Sequence, residues 1–370
     1  MMATGPIMKK IVLAIVAATA CYSANAATVY DKDGTTFAVG GRVQAVVYNG
    51  KSSKVGDKDN SLRNTARLNV SGNTKVFDWL SVYAFSEWNM ADGNKAGTGD
   101  GINTREQYVG ANFGKYGKLT LGKTYDSLRS ALVTTYVTDD FGSIAQPNHL
   151  DRRTGQIKYE YNGYGLNFQL SYQTAEDSLD VVTTNKFLNK KANVKAGFSS
   201  SIAYTFDDVV FGPLSLRAGY SYLKGQKQGD TLDATNRFSS YKTGGVGLAW
   251  GKLTSGLYFG AMGTFGVERM NEQAARTEFT QKFKGYELVA GYKFDNGLGT
   301  YIGYNLLDTN DTGKDEKVIY RRIPAYVTYS LNPHFFMWSE MEFDANSSDN
   351  CKDNKYEKGT YFSVGARYIF

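Results

Sequence analysis

The sequence predicts an all-β protein, a transmembrane antiparallel β-barrel of about 16 strands. Three observations point to this fold class. Apolar and polar residues alternate with a period of two over most of the chain, short turns alternate with longer polar loops, and the last segment ends in aromatic residues. Beyond the N-terminus, no stretch resembles the roughly 20 apolar residues of a membrane-spanning helix.

The alternation gives each predicted strand one apolar and one polar face. In residues 165–173, the apolar set is Leu166, Phe168, Leu170 and Tyr172, and the polar set is Asn167, Gln169, Ser171 and Gln173. In residues 335–343, the odd-numbered positions form one face, and the even-numbered face carries Phe336, Trp338, Glu340 and Glu342. One face can meet lipid and the other water, although alternation alone also fits a soluble β-sandwich.

The connections favour the barrel over the sandwich. Short turns are predicted at 115–118, 162–163, 253–255, 295–297 and 332–333. Longer polar loops are predicted near 50–60, 92–102, 127–151, 174–196, 224–240, 269–281, 309–316 and 345–358. This asymmetry is typical of an up-and-down barrel with one short rim and one elaborated rim. Closure of the sheet satisfies backbone groups that an open edge would expose to hydrocarbon.

The C-terminal segment is a second indicator of the barrel. Its apolar face consists of Phe362, Val364, Ala366, Tyr368 and Phe370. An aromatic last residue resembles the terminal strand by which outer-membrane barrels are recognised during assembly. Tyr368 and Phe370 are therefore the predicted assembly signal, and the barrel assembly machinery is a predicted partner.

The N-terminus predicts export. Lys9 and Lys10 precede the apolar run 11–21, and Ala24-Asn25-Ala26 provides the small residues of a signal peptidase site. The prediction is a cleaved signal peptide at 1–26 and a single barrel domain at 27–370. An apolar run this short cannot cross about 30 Å of hydrocarbon as a helix.

Composition agrees with strands and excludes some partners. Aromatic residues make up 14% of the chain, Gly numbers 40 and Pro only 5, and the mean hydropathy is −0.40. Removal of Lys9 and Lys10 lowers the formal charge from +6 to +4, which is too mild to imply a nucleic-acid partner. Cys351 would be the one cysteine left, so no internal disulfide is expected.

Several motifs then carry a family resemblance. The segment 27–34 (ATVYDKDG), Ala66-Arg67-Leu68, Glu87-Trp88, Thr104-Arg105 with Gly110, Gly122-Lys123-Thr124-Tyr125 and Asp140-Phe141-Gly142 all lie in the expected order. With these motifs the chain resembles the general porins of the enterobacterial type. The resemblance is more specific in the first half and returns at 287–292 and in the final strand.

The resemblance implies a constriction inside the barrel. In these porins the third loop folds into the lumen, and its acidic residues face a ladder of basic residues. Carried onto this sequence, the basic set is Arg42, Arg67, Arg105 and Arg152, with Arg153 as a rival to Arg152. The acidic set is Asp139 and Asp140. The loop departs from the family because it is shorter before Phe141 and lacks the Pro and second Gly of the motif. A constriction that is wider or differently angled than in the family is therefore an alternative prediction.

Strand parity supports the basic set. Arg42 is out of phase with Val43 and Val47, and Arg67 is out of phase with Leu68 and Val70. Arg152 shares its face with Gln156 and Lys158. Parity with Arg105 places Glu106 on the outward face, at a subunit interface or above the apolar band. An outward Glu106 supports the homotrimer that the resemblance implies. Small outward residues that would let barrels approach closely support it as well, and these are Gly41, Ala45, Ala66 and Gly72.

The predicted function is a water-filled channel of the outer membrane for passive diffusion of ions and small hydrophilic solutes. Two other readings stay open, a sugar-selective porin and an adhesion barrel with host-binding loops. An enzyme is not expected, because the two histidines, His149 and His334, lie near no serine motif. The sequence holds no nucleotide-binding or zinc motif, so no cofactor is expected.

Overall fold

The chain forms one antiparallel sheet that closes into a 16-strand barrel, which confirms the predicted fold class. The computed structural model describes residues 26–49, 59–92, 102–141, 145, 152–180, 191–226, 238–271, 278–311, 316–346 and 359–370. Residues 1–25, His149 and Cys351 lie outside these ranges, so the predictions for the signal peptide and for these two side chains are not addressed by the fold.

Eighteen hydrogen-bonded segments build the wall. They are β1 (Ala27–Lys32), β2 (Thr35–Tyr48), β3 (Ser61–Phe77), β4 (Leu80–Asp92), β5 (Asn103–Asn112), β6 (Lys118–Tyr125), β7 (Arg152–Gly163), β8 (Leu166–Gln173), β9 (Glu176–Asp180), β10 (Lys191–Val209), β11 (Gly212–Gly225), β12 (Phe238–Lys252), β13 (Ser255–Asn271), β14 (Glu278–Lys293), β15 (Leu298–Asp311), β16 (Glu316–Ser330), β17 (Phe335–Asp344) and β18 (Tyr361–Ile369).

Two pairs of segments each share one place in the barrel. β8 and β9 both pair with β10, and β18 and β1 both pair with the same edge of β2. The first and last strands therefore complete the closure together. Phe370 joins them, because its N–H donates to the Gly41 carbonyl over 3.0 Å and its carbonyl accepts the Gly41 N–H over 2.8 Å.

The predicted alternation is confirmed by exposure. In β8, Leu170 and Tyr172 are 45% and 50% exposed, whereas Ser171 and Gln173 are 5% and 2% exposed. β17 and β18 follow the same pattern, with Met341, Val364 and Tyr368 on the outer surface. An apolar outer surface and a polar inner surface are what a barrel in lipid requires.

The connections also alternate as predicted, with two local corrections. The β7–β8 turn lies at Tyr164-Gly165 and not at 162–163, because these two residues adopt φ values of +54° and +75°, as tight hairpin turns require. The predicted loop 174–196 is shorter than expected, because β9 and the start of β10 pair within it. Within the described ranges, no helix is long and apolar enough to cross a membrane.

Candidate functional site

The connection between β6 and β7, here called the third loop, lies inside the barrel. It contains the helix α1 (Arg129–Leu132) and a 3-10 turn (Val133–Thr135). α1 packs on the inner surface of β10, β11 and β12, and the 3-10 turn packs on β12, β13 and β14. The loop therefore crosses the lumen against one side of the wall.

Glycines on the inner surface of the wall leave room for the third loop. At five inward-facing glycines, an added Cβ would meet the third loop at Leu128, Ala131, Leu132, Thr134 or Ala145, and these glycines are Gly219, Gly245, Gly247, Gly260 and Gly285. We call them the glycine track. At Gly219 the added Cβ would lie 3.0 Å from a Leu128 methyl group and 3.2 Å from the Ala131 Cβ. The loop backbone thus approaches the strands more closely than any side chain would allow.

Hydrogen bonds hold the beginning of the loop. The Ser127 N–H donates to the hydroxyl oxygens of Ser171 and Ser199 over 3.1 and 2.9 Å. The Ser130 hydroxyl lies 2.7 Å from that of Ser201. Wall serines replace the water that these loop groups would otherwise bind.

The middle of the loop is held by Glu287 on β14. Its carboxylate accepts the Thr135 hydroxyl over 2.6 Å and the Ala145 N–H over 2.9 Å. The Thr134 carbonyl accepts the Tyr258 hydroxyl over 2.6 Å. Glu287 is 1% exposed, so these contacts are shielded from water.

The tip of the loop is held by Glu340 on β17. Its carboxylate accepts the backbone N–H groups of Asp139, Asp140 and Phe141 over 3.0, 2.9 and 2.8 Å. Three donors on one ionisable group form a strong, directional attachment. Phe141 adds apolar contact, since its ring lies 6.5 Å from that of Tyr48 and 5.8 Å from that of Tyr361.

The two predicted acidic residues bind the wall at this tip. Asp139 accepts Arg367 Nη2 over 2.6 Å and the Tyr326 hydroxyl over 2.7 Å. Asp140 accepts polar hydrogens from Tyr48, Trp338 and Ser363 over 2.9, 2.7 and 2.6 Å. The sequence predicted that both carboxylates face the arginine set across the lumen. The structure shows that both are attached to side chains of β2, β16, β17 and β18.

Arg42 and Arg67 lie on the side of the barrel opposite to α1, which packs on β10, β11 and β12. They are direct cross-strand partners on β2 and β3. Arg67 Nε donates to the Asn89 side chain over 3.1 Å, and Arg42 is 7% exposed. Their inward position agrees with the parity argument.

Arg105 and Glu106 show where parity fails. The β4–β5 register shifts between the Glu87–Glu106 and Trp88–Thr104 pairs, which leaves Arg105 as the extra residue of a β-bulge. Arg105 Nε lies 2.5 Å from Glu87 Oε1. Glu106 accepts the Thr124 hydroxyl over 3.2 Å and lines the lumen, so its predicted outward position is wrong.

Arg152 and Arg153 both contact groups of the lumen. Gly155, with a φ of +71°, lies in a second bulge between β6 and β7. Arg153 is 1% exposed, and its Nη1 donates over 3.0 Å to Asp126, the first residue of the third loop. The Arg152 guanidinium lies 4.4 Å from the centre of the Tyr125 ring and 3.7 Å from Glu106 Oε1.

Sequence reasoning missed the residues that hold the loop. Arg367 was not singled out, and Glu340 was placed on the polar face without a role. Both occupy inward positions on strands whose alternation is clear, and that was the available signal. The lumen-facing Phe336 and Trp338 also belong to this attachment, because the Arg367 guanidinium lies 4.8 and 4.9 Å from the centres of their rings.

Comparison with known proteins decides the family. Residues 12–254, more than half of the chain, match the Gram-negative porin family. The chain is a Gram-negative porin. This porin is 29% identical to outer membrane protein F of Serratia marcescens over 385 residues, covering 95% of this chain and 96% of that protein.

Solved structures share the fold of this porin. OmpF of Salmonella typhi, solved in complex with daunomycin, superposes with a TM-score of 0.71 at 19% identity, covering 93% of this chain and 100% of that one. OmpT of Vibrio cholerae, in a trimer form, superposes with a TM-score of 0.64 at 16% identity, covering 91% and 100%. The porin is thus a channel-forming barrel of the outer membrane.

Proposed function

We propose that solutes pass this porin through a constriction between the third loop and the wall β2–β7. The observation that carries the proposal is the position of the described part of the loop, whose α1 and 3-10 turn pack on β10–β14, on the side of the barrel opposite to Arg42, Arg67 and Arg105. Small hydrophilic solutes and ions diffuse through the remaining opening without a catalytic step.

The charges of this constriction set its preference among solutes. Its basic side consists of Arg42, Arg67, Arg105, Arg152 and Arg153, of which the last three pair with Glu87, Glu106 and Asp126, respectively. Guanidinium groups stay charged at every physiological pH, so the field on this side is constant. Fixed charges around a narrow water-filled passage favour polar solutes and disfavour apolar ones.

Asp139 and Asp140, predicted as the acidic side of the constriction, have a more specific role in this proposal. Their hydrogen bonds support a positioning role, in which they hold the loop tip and so set the width of the opening. Arg367 balances the charge of Asp139, so Asp140, whose hydrogen-bond donors are neutral, supplies the negative charge on that side. Permeating ions pass within about one Debye length, roughly 8 Å at physiological salt, so they still respond to it.

Planar-bilayer recording of the purified protein tests the channel function. We expect stepwise conductance increases as single molecules insert, with an ohmic response at low voltage. The buffer with detergent alone is the control. Absence of steps at protein concentrations that give folded barrels in the bilayer would remove the proposal.

We further propose that the protein assembles as a homotrimer through the wall β2–β5. The outer surface there carries the exposed apolar residues Val43, Leu62 and Val109, at 53%, 54% and 57%. At Gly72 an added Cβ would have no neighbour closer than 4.0 Å, so a second barrel can approach the backbone. Analytical ultracentrifugation in detergent should give the mass of three chains, and a species of one chain only would contradict this.

The C-terminal strand is the proposed contact for the barrel assembly machinery. Tyr368 and Phe370 lie on the outer surface, 49% and 39% exposed, at the seam where the barrel closes. An aromatic ladder at the closing strand is available to a partner until β18 pairs with β2.

A further inference from the structure

A second site lies in the lumen, away from the tip of the third loop. A cavity of about 380 Å³ opens between α1 and the inner wall of β3–β8, β10 and β11, toward the rim of short turns. Its volume is within the range of small-molecule sites, which is about 300–1,000 Å³. Its lining combines aromatic rings with charged groups of both signs, and none of the predicted arginines belongs to it.

Three rings form one wall of the cavity, and we call them the aromatic shelf: Tyr83, Phe85 and Tyr108. Phe85 and Tyr108 are cross-strand partners, and their rings stack with centres 5.3 Å apart and planes at 29°. Tyr83 meets Tyr108 edge-on, with centres 6.2 Å apart. All three line the cavity and so present ring surface to the lumen.

The shelf is held rigidly in place. The Tyr83 hydroxyl lies 2.7 Å from the Thr120 hydroxyl and donates to the Leu119 carbonyl over 3.1 Å. Gly110 is the partner of Tyr83 on the next strand, and an added Cβ there would collide with the ring. The glycine therefore lets Tyr83 lie across the strand, and a preformed surface lowers the entropic cost of binding.

Charged and amide groups form the adjoining wall. Lys158 is the cross-strand partner of Thr120, which places it beside the end of the Tyr83 ring. Glu160 accepts Lys118 over 3.1 Å and the Asn162 side chain over 2.9 Å. The loop closes the cavity with Arg129, Ser130 and Val133, and Arg217 donates to the Ser130 carbonyl over 3.0 Å.

Phe85 is the residue that a simple water-filled passage does not explain. The inner surface of a channel barrel is polar, and the inward neighbours of Phe85 on the flanking strand and on its own strand include Ser71 and Glu87. A benzyl group at this position exposes apolar surface to water. It gains free energy when a ligand covers it.

We propose that this cavity binds a pyranose sugar during passage, an inference that rests on the channel function proposed above. The C–H face of the ring lies on the aromatic shelf, while the hydroxyl groups bond to Glu160, Lys158 and the amide of Asn162. The two surfaces adjoin at the end of the Tyr83 ring, because the Tyr83 hydroxyl reaches Thr120 on β6 and Lys158 lies opposite Thr120 on the next strand, about 4.8 Å away.

Sugar-dependent block of the current through the purified channel tests this proposal. Maltose is the pyranose probe, and sorbitol is the control, because it offers hydroxyl groups without a ring face. Maltose should lower the conductance in a saturable way at concentrations where sorbitol changes it only through viscosity. Phe85→Gln should raise the half-saturating maltose concentration about tenfold, because it removes one stacking contact. Phe85→Tyr keeps the ring and should bind maltose as the wild type does.

The outcomes distinguish failure of the sugar site from failure of the channel function. Equal effects of maltose and sorbitol on a conducting channel would overturn the sugar site and leave the channel function intact. Equal half-saturating concentrations for Phe85→Gln and wild type would also overturn it, because the shelf would then have no part in block. Absence of stepwise conductance would overturn the channel function and the sugar site together.

Discussion

The Arg367 guanidinium donates to the Asp139 carboxylate over 2.6 Å, and this ion pair joins the last strand of the barrel to the tip of the third loop. The side chains of Arg367 and Asp139 are 2% and 13% exposed, so water competes weakly for either partner. Beside it, Glu340 binds three backbone N–H groups of the same tip. In the proposed constriction, the width of the opening thus depends on one short segment and the wall that holds it.

Asp139→Asn should loosen the tip without unfolding the barrel. The substitution keeps the shape of the side chain but removes the ion pair, and loss of a hydrogen bond between charged groups costs about 1.5–3 kcal/mol. That is at least a tenfold fall in the ratio of attached to detached tip. We expect a higher mean conductance and more open-channel noise in single-channel records.

The matched control is the ion pair of Lys75 and Asp78, which has the same length of 2.6 Å but lies exposed at the rim of short turns. Asp78→Asn should leave conductance and noise unchanged, since exposed pairs contribute little. Conductance traces of Asp139→Asn that match those of Asp78→Asn would show that the ion pair does not hold the tip.

The sequence predicts strands well and local irregularities poorly. Period-two alternation identified the faces of β8, β17 and β18, because a barrel in lipid enforces it at every step. Glu106 was misplaced because a bulge adds one residue and reverses the parity beyond it. A bulge leaves little trace in a single sequence, since the chain there contains no special residue at Arg105.

The sequence also could not predict which side chains pair with one another inside the lumen. Asp139 and Asp140 were predicted to be functional residues, but their partners Arg367, Tyr326 and Trp338 lie more than 180 residues further along the chain. Pairings at that separation depend on the closed sheet. The glycine track could have been noticed, because Gly219, Gly245 and Gly247 fall on inward positions of predicted strands.

Gly247→Ala should displace the third loop. An added Cβ would collide with the Ala131 carbonyl and contact Thr134, so the loop must move away from β12. We expect changed single-channel conductance and faster proteolysis of the loop in folded protein. Gly263→Ala is the control on the neighbouring strand, because its Cβ would make ordinary contacts at 3.7 Å or more. Identical conductance and cleavage rates in the two variants would contradict the role of the track.

Removal of Phe370 should slow closure of the barrel. The residue makes two backbone hydrogen bonds with Gly41, at 2.8 and 3.0 Å, where the first and last strands meet. We expect slower appearance of the heat-modifiable folded band in refolding experiments. Met341→Ala removes an outward side chain from β17 and serves as the control for lost apolar surface. Equal refolding rates for the truncated and wild-type chains would argue against this role of Phe370.

The mature protein should begin at Ala27. The Lys9-Lys10 pair, the apolar run and Ala24-Asn25-Ala26 motivate this prediction. N-terminal sequencing of protein isolated from outer membranes checks it. A first residue far from Ala27 would refute the predicted cleavage.

The most direct test of the constriction is the reversal potential in a salt gradient, measured for wild type and for Arg67→Ala/Arg105→Ala. A unit charge at about 4 Å in water is worth about 1 kcal/mol, roughly a fivefold change in local ion concentration. The reversal potential of the double variant should therefore shift toward cation selectivity, which corresponds to a several-fold higher cation-to-anion permeability ratio. Its conductance should also be higher, because the gap is wider. An unchanged reversal potential and conductance would mean that ions do not pass between the third loop and this arginine wall.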